Sequence, residues 1–318
     1  MSQAEILVEL ERRLGRVHAR QRLGIEREHE DEIFRSRGSG AAKFFHPENW
    51  YSFQALIRAS LRLTGLFGRA TRNARTIRSV VNRVMLPGLP AALDGYRILH
   101  LSDLHIDASE PLAHAIVEAV RPLRYDVCVL TGDYRFRTSG PTELVIANMQ
   151  RLRGSLAGEV YAVFGNHDSV TMLPEFERMG IRVLMNEHAR LERSGVPIYL
   201  AGIDDAHFFG ADNLARALEA IPPDALIVML SHTPEVFRQA AHAAVDLLLC
   251  GHTHGGQICL PGGWPLLLDA RIPRRLGKGS WRHGQMLGYT SPGAGASVVE
   301  VRLNCPPEVT IHELRCAV

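Results

Sequence analysis

Five apolar runs of this 318-residue chain each stop at a histidine, an aspartate or an asparagine. "RILHL" runs into Ser102, Asp103 and His105, "DVCVLTG" into Asp133, and "VYAVFG" into Asn166, His167 and Asp168. "ALIVML" runs into Ser231 and His232, and "DLLLCG" into His252 and His254. Short apolar runs rich in β-branched residues have the character of strands buried on both faces, and side chains at the carboxyl ends of neighbouring strands meet along one edge of a sheet. The pattern predicts an α/β fold with polar residues gathered on one edge of a sheet.

Taken singly, most of these groups have an ordinary reading. Asp103-x-His105 is a common turn sequence, Asp133 behind a glycine suits a helix N-cap, and His232 suits a cap of "TPEVFRQAAHAA". Asn166, His167 and Asp168 side by side are a costly way to make a turn. His252 and His254 sit among Gly251, Gly255 and Gly256, which allow backbone to approach a site closely. Taken together the set has a chemistry. Carboxylate, amide oxygen and imidazole are donors that divalent transition metals accept, whereas Ca²⁺ takes oxygens almost throughout. Asp103, His105, Asp133, Asn166, His232, His252 and His254 are too many for one tetrahedral ion and enough for two that share a carboxylate. Two such ions about 4 Å apart clamp the attacking and leaving oxygens of a displacement at phosphorus and bring the pKa of bound water toward neutrality. Phosphoester hydrolysis is the expected reaction.

The order D-x-H, G-D, G-N-H-D, a single His and G-H-x-H resembles the calcineurin-like metallophosphoesterase superfamily over most of residues 96–315. The resemblance implies a four-layered αββα sandwich and two divalent ions, Mn, Fe or Zn. It places Asp133 between the ions, with Asp103, His105 and His254 around one and Asn166, His232 and His252 around the other. His167 then sits beside the leaving group or a phosphoryl oxygen, Asp168 orients its ring, and a hydroxide activated by the metals attacks in line. "YRFRTSG" after Asp133 departs from many relatives in having two arginines and no acid. Arg135 and Arg137 either bind a second phosphate or are solvated loop charges. "AGIDDAHFFG", "GGQICLPG" and "NCPPEVTIHELR" resemble the membrane-associated branch that includes a UDP-2,3-diacylglucosamine hydrolase of lipid A biosynthesis. That likeness favours a lipid-linked nucleotide sugar as substrate and makes His207 a candidate substrate contact. A broad phosphodiesterase acting on cyclic nucleotides or other small diesters is the second reading, and a non-catalytic scaffold with the same fold is a third, which the filled ligand positions oppose.

The rest of the chain divides by composition. Residues 1–46 form a charged, helical extension with Leu7, Leu10, Leu14 and Val17 at helical spacing, ending in the flexible "RSRGSGA". Residues 47–86 are an arginine-rich amphipathic segment, read as helical, with no acid between Glu48 and Asp94. Phe53, Leu56, Ile57, Leu61, Leu63 and Phe67 give it an apolar surface. Such a segment either packs on the catalytic domain with its arginines in solvent or makes peripheral contact with an anionic membrane through residues 50–85. "LPGLPAALDG" opens the catalytic domain, residues 87–318. The net charge of +2, with basic residues in one segment and no interleaved aromatics, disfavours nucleic acid as a partner. Five widely spaced cysteines suit a reducing compartment, and the N-terminus lacks an apolar signal core. The expected location is cytoplasmic, at the inner face of the membrane if the basic segment binds it.

Overall fold

The computed structural model describes residues 3–36 and 51–317. The connector expected over "RSRGSGA" lies outside them from residue 37 onward, as does Trp50.

Two six-stranded sheets form the centre. One runs β1 (Arg78–Leu86), β14 (Glu308–Cys316), β2 (Arg97–Leu101), β3 (Val127–Thr131), β4 (Val160–Val163), β5 (Ile181–Val183). The other runs β12 (Gly279–His283), β13 (Met286–Thr290), β9 (Leu247–Cys250), β8 (Ile227–Leu230), β7 (Val196–Gly202), β6 (Glu187–Arg193). Strands β2, β3, β4, β8 and β9 are buried at every position after at most one residue, which is why they read as unbroken apolar runs. Between the sheets pack Ile98, Val127, Val129, Leu200, Val228 and Leu247. The outer face of the first sheet is covered by α5 (Glu110–Val120), α6 (Glu143–Arg153) and α7 (Leu173–Arg178), and that of the second by α9 (Phe237–His242) with neighbouring loops. Helix, sheet, sheet, helix is the αββα sandwich expected. All five cysteines are free thiols.

Two expectations change. The segment up to residue 86 is helical only through α3 (Tyr51–Leu63) and α4 (Phe67–Ala74); Arg78–Leu86 is a strand paired in parallel along its full length with β14. The β-branched Val80, Val81 and Val84 suit an extended chain, and a nine-residue partner supplies the ladder. The catalytic sheet therefore begins before residue 87. The five runs also do not share one sheet: β2, β3 and β4 belong to the first and β8 and β9 to the second. Their carboxyl ends still meet, because the sheets lie face to face with these ends on the same side.

Helices α1 (Gln3–Leu14) and α2 (Arg16–Ser36) lie on the catalytic domain. Leu10, Leu14, Ala19 and Leu23 join the core outside the first sheet. No helix among the described residues is long and apolar enough to cross a membrane.

Candidate metal centre

Each strand delivers its polar residue through a turn immediately after its last pairing. Asp103, His105, Asp133, His252 and His254 all have positive φ, between 39° and 69°. Non-glycine residues rarely adopt this region, and such backbone strain gathers where a site demands it. Glycines leave the necessary room. A Cβ on Gly165 would collide with the Asp133 carboxylate and come within 2.8 Å of the His232 ring, and one on Gly251 would collide with Asp103 and Ser102.

The seven candidate ligands come together with His167. His105 Nε2 lies 3.1 Å from His254 Nε2, and His254 Nε2 lies 3.6 Å from an Asp103 oxygen. His232 Nε2 lies 2.9 Å from Asn166 Oδ1, 3.1 Å from His252 Nδ1 and 3.3 Å from Asp133 Oδ2. Asp133 Oδ2 is also 3.9 Å from His105 Nε2 and 3.8 Å from His167 Nε2, so it stands between the two groups. All eight are at least nine-tenths buried.

The environment fits cations. His105 and His232 point Nδ1 at the carbonyls of Arg135 (2.6 Å) and Thr131 (2.8 Å), which as acceptors leave the Nε2 lone pairs facing the cluster. Asp103 and Asp133 are buried, and the ion pairs they make are with imidazoles alone among the described residues. Burial pushes the Asp103 carboxyl up to about 6. Burial alone would lower the His232 imidazole, but the Asp133 charge outweighs it and drives it up to about 10. The cluster draws positive charge, and a divalent cation on the same donors satisfies that demand better than a proton. Asp103, His105 and His254 could hold one ion and Asp133, His232 and His252 a second, since the ligand atoms within each trio lie within 4.8 Å of one another.

Asp168 does not orient the His167 ring. Its carboxylate accepts from the backbone N–H of Asp133 (2.7 Å), Tyr134 (2.9 Å) and Gly165 (2.9 Å), tying together the turns after β3 and β4. His167 instead points Nδ1 at the Phe136 carbonyl, 3.0 Å away. A carboxylate three positions after a glycine can close an Asx-type loop on the backbone, and that reach wins over the neighbouring ring. Arg135 is buried, donates to the Gly140 carbonyl and borders the cavity beside Asn166, while Arg137 is exposed. His207 pairs with Glu235 at 3.0 Å, and its ring centroid is 4.1 Å from that of His252.

Several residues at the site have no motif to mark them. A small cavity of about 20 Å³ beside Asn166 and Asp168 is walled by Arg135, Phe208 and Phe209 and, from α2, by Glu26, His29 and Glu30. Arg22 of α2 is fully buried, donates to the Asp168 carbonyl at 3.0 Å and reaches Asp204 and Glu26, with its guanidinium 3.2 Å from the Phe209 ring centroid. Glu26 accepts from the Ser169 hydroxyl and the Val170 N–H. Arg302, also fully buried, donates to the carbonyls of His254, Pro292 and Gly295 and fixes the loop that carries His254. Arg302 has one sequence signal, its place inside the apolar stretch after Val298, whereas Arg22 stands in a charged run and has none.

Residues 96–256 match the family described as calcineurin-like phosphoesterase. The chain is 31% identical over 259 residues to the uncharacterized metallophosphoesterase YkoQ of Bacillus subtilis (strain 168), covering 77% of this chain and 93% of that protein. It is 32% identical over 232 residues to phosphodiesterase YaeI of Escherichia coli (strain K12), covering 69% and 82%. Similarity of 28% over 285 residues extends to a transmembrane protein with metallophosphoesterase domain from Bos taurus, of which this chain spans 62%.

Proposed function

This chain belongs to the calcineurin-like phosphoesterase family and is a metal-dependent phosphoesterase of the two-cation type, and from that premise we propose that it hydrolyses a phosphodiester or pyrophosphate bond, with a lipid-linked nucleotide sugar such as UDP-2,3-diacylglucosamine as favoured substrate. The observation that carries the reading is the paired donor cluster and the set of side chains that borders it at Asn166. One buried arginine and a wall of aromatic rings there suit a substrate that continues beyond the reacting phosphorus, as a diester or diphosphate does and a small monoester does not. The relative named as a phosphodiesterase points the same way.

We assign Asp103, His105 and His254 to one ion and Asn166, His232 and His252 to the other, with Asp133 shared. The bound cations supply Lewis acidity and a water acidic enough to be deprotonated near neutral pH. The chain does the rest. Asp168 holds the Asp133 and Asn166 turns at a fixed separation through backbone N–H groups. His167, oriented by the Phe136 carbonyl, presents Nε2 beside Asp133, where in its protonated form it donates to a phosphoryl or departing oxygen. Arg135 balances a second phosphate, Phe208 and Phe209 exclude water from one side, and His207 meets the substrate at the other. In this reading the enzyme works at the cytoplasmic face of an anionic membrane, which the basic residues of α3 and α4 suit.

The test is hydrolysis of UDP-2,3-diacylglucosamine by the Mn²⁺-loaded protein, beside bis-p-nitrophenyl phosphate and a non-lipid UDP-sugar, with His167→Ala as control. Preference for the acylated substrate, lost in the control, is expected. Turnover of the small diester alone would overturn the substrate and favour the broad phosphodiesterase, and a purified protein that retains no metal and hydrolyses nothing would restore the scaffold reading.

A further inference from the structure

Large apolar side chains scattered singly over a surface are ordinary, whereas a contiguous group is not. Among the described residues twelve are well exposed, and seven of these fall on two segments. Leu56, Leu63 and Leu66 lie on α3 and the turn after it; Leu260, Trp264, Leu266 and Leu267 lie on and just after a small hairpin of β10 (Cys259–Leu260) and β11 (Trp264–Pro265). The segments are neighbours, because Ile57 and Leu61 of α3 pack with Ile258, Val301 and Leu303 in one apolar cluster. Leu56 and Leu63 are seven residues apart, so they share the opposite face of the helix. Leu63 is 88% exposed, Leu267 76% and Trp264 64%.

We infer that the hairpin with its following Leu266 and Leu267, together with the outer face of α3, is an interfacial anchor that seats the enzyme on an anionic bilayer. The charge around it selects this occupant. Arg58 and Arg62 are exposed on α3, and residues 257–278 carry four cations against the single acid Asp269, with Arg271, Arg274 and Arg275 exposed. An exposed tryptophan and leucines on and just after the hairpin, with exposed arginines in the same loop and Arg274 donating to the Pro265 carbonyl at 2.9 Å, match the layering of a bilayer surface, where apolar side chains enter the acyl boundary and cations meet lipid phosphates. The anchor also adjoins the metal centre: a Cβ on Gly256, two residues after His254, would lie 2.9 Å from the Leu267 carbonyl and press on Pro265. Docked this way, the donor cluster stands at the membrane surface, where a lipid-linked phosphoester presents its headgroup. The inference deepens the lipid-substrate reading and rests on it for that last step, while the anchor itself rests on the exposed residues.

The test is co-sedimentation of the full chain with phosphatidylglycerol/phosphatidylcholine vesicles and with phosphatidylcholine vesicles alone, comparing wild type with a variant carrying Trp264→Ser, Leu266→Ser and Leu267→Ser. All three positions are exposed or on the hairpin surface, so folding is expected to survive, checked by unchanged turnover of bis-p-nitrophenyl phosphate. The expected result is binding to the anionic vesicles that falls about tenfold or more in the variant, with quenching of wild-type fluorescence by brominated lipid that disappears in Trp264→Phe. Equal binding by wild type and variant, no binding by the wild type, or loss in the variant of a concentration-dependent dimer rather than of vesicle binding would each overturn the anchor. Vesicle binding without hydrolysis of the acylated substrate would support the anchor and sink the substrate instead.

Discussion

Replacing Arg22 tests whether the N-terminal helices are part of the catalytic domain. The side chain is fully buried, faces Asp204 and Glu26, donates to the Asp168 carbonyl and covers Phe209. Removing one partner of a buried ion pair costs about 3–5 kcal/mol, because the other charge stays behind without compensation. Asp204 keeps His18 at 2.8 Å and the Asp205 N–H at 2.8 Å, which places Arg22→Met toward the lower end, about 3 kcal/mol. A chain of this length unfolds with an entropy of about 0.7 kcal/mol/K, so the melting midpoint should fall by about 5 °C. Arg20→Met is the control: it breaks an ion pair whose arginine is 54% exposed, and its effect should stay within about 0.5 kcal/mol. Because the Asp168 peptide leads into the carboxylate that ties the Asp133 and Asn166 turns, kcat/KM for bis-p-nitrophenyl phosphate should also fall, by about tenfold. Differential scanning calorimetry and initial rates read the two effects. If Arg22→Met and Arg20→Met match the wild type equally well in both, α1 and α2 are an appendage and the argument is wrong.

Two further outcomes follow from buried groups. Gly165→Ala should lower metal content and reduce kcat by about a hundredfold or more, since the new Cβ meets Asp133 and His232; elemental analysis and steady-state rates check it, and full metal with full activity would refute the geometry. His100 is buried between His312 and Thr131, and burial holds its pKa down at about 3. Neutral when folded and protonated below about 6.5 when unfolded, it contributes stability that is full above pH 6.5 and is lost as the pH falls toward 3. His100→Gln should therefore flatten the pH dependence of the unfolding free energy, read from urea titrations, between pH 6.5 and 4 by up to about 1.4 kcal/mol per pH unit, and parallel profiles would exclude this role.

The donor set was legible in the sequence because its logic is local. A strand that ends in a turn puts the next polar residue at the sheet's edge wherever that sheet lies, and the glycines beside Asp133, Asn166 and His252 are written next to the residues they make room for. The αββα architecture was likewise accessible through the resemblance carried by those motifs. What the sequence could not assign were matters of partnership. Val80, Val81 and Val84 stand in a stretch whose arginines and leucines also suit a helix, and only the nine-residue β14, more than 220 residues later, makes it a strand. Asp168 follows His167 directly, yet its carboxylate serves the backbone of Asp133, Tyr134 and Gly165. Arg22 reads as one charge among many until α2 is laid across Asp204 and Phe209, and the 64% exposure of Trp264 is not written in any motif around it. Periodicity and spacing describe which face of an element is apolar or charged; what that face meets depends on chain segments hundreds of residues away, and burial, ion pairing and exposure exist only once those segments have packed.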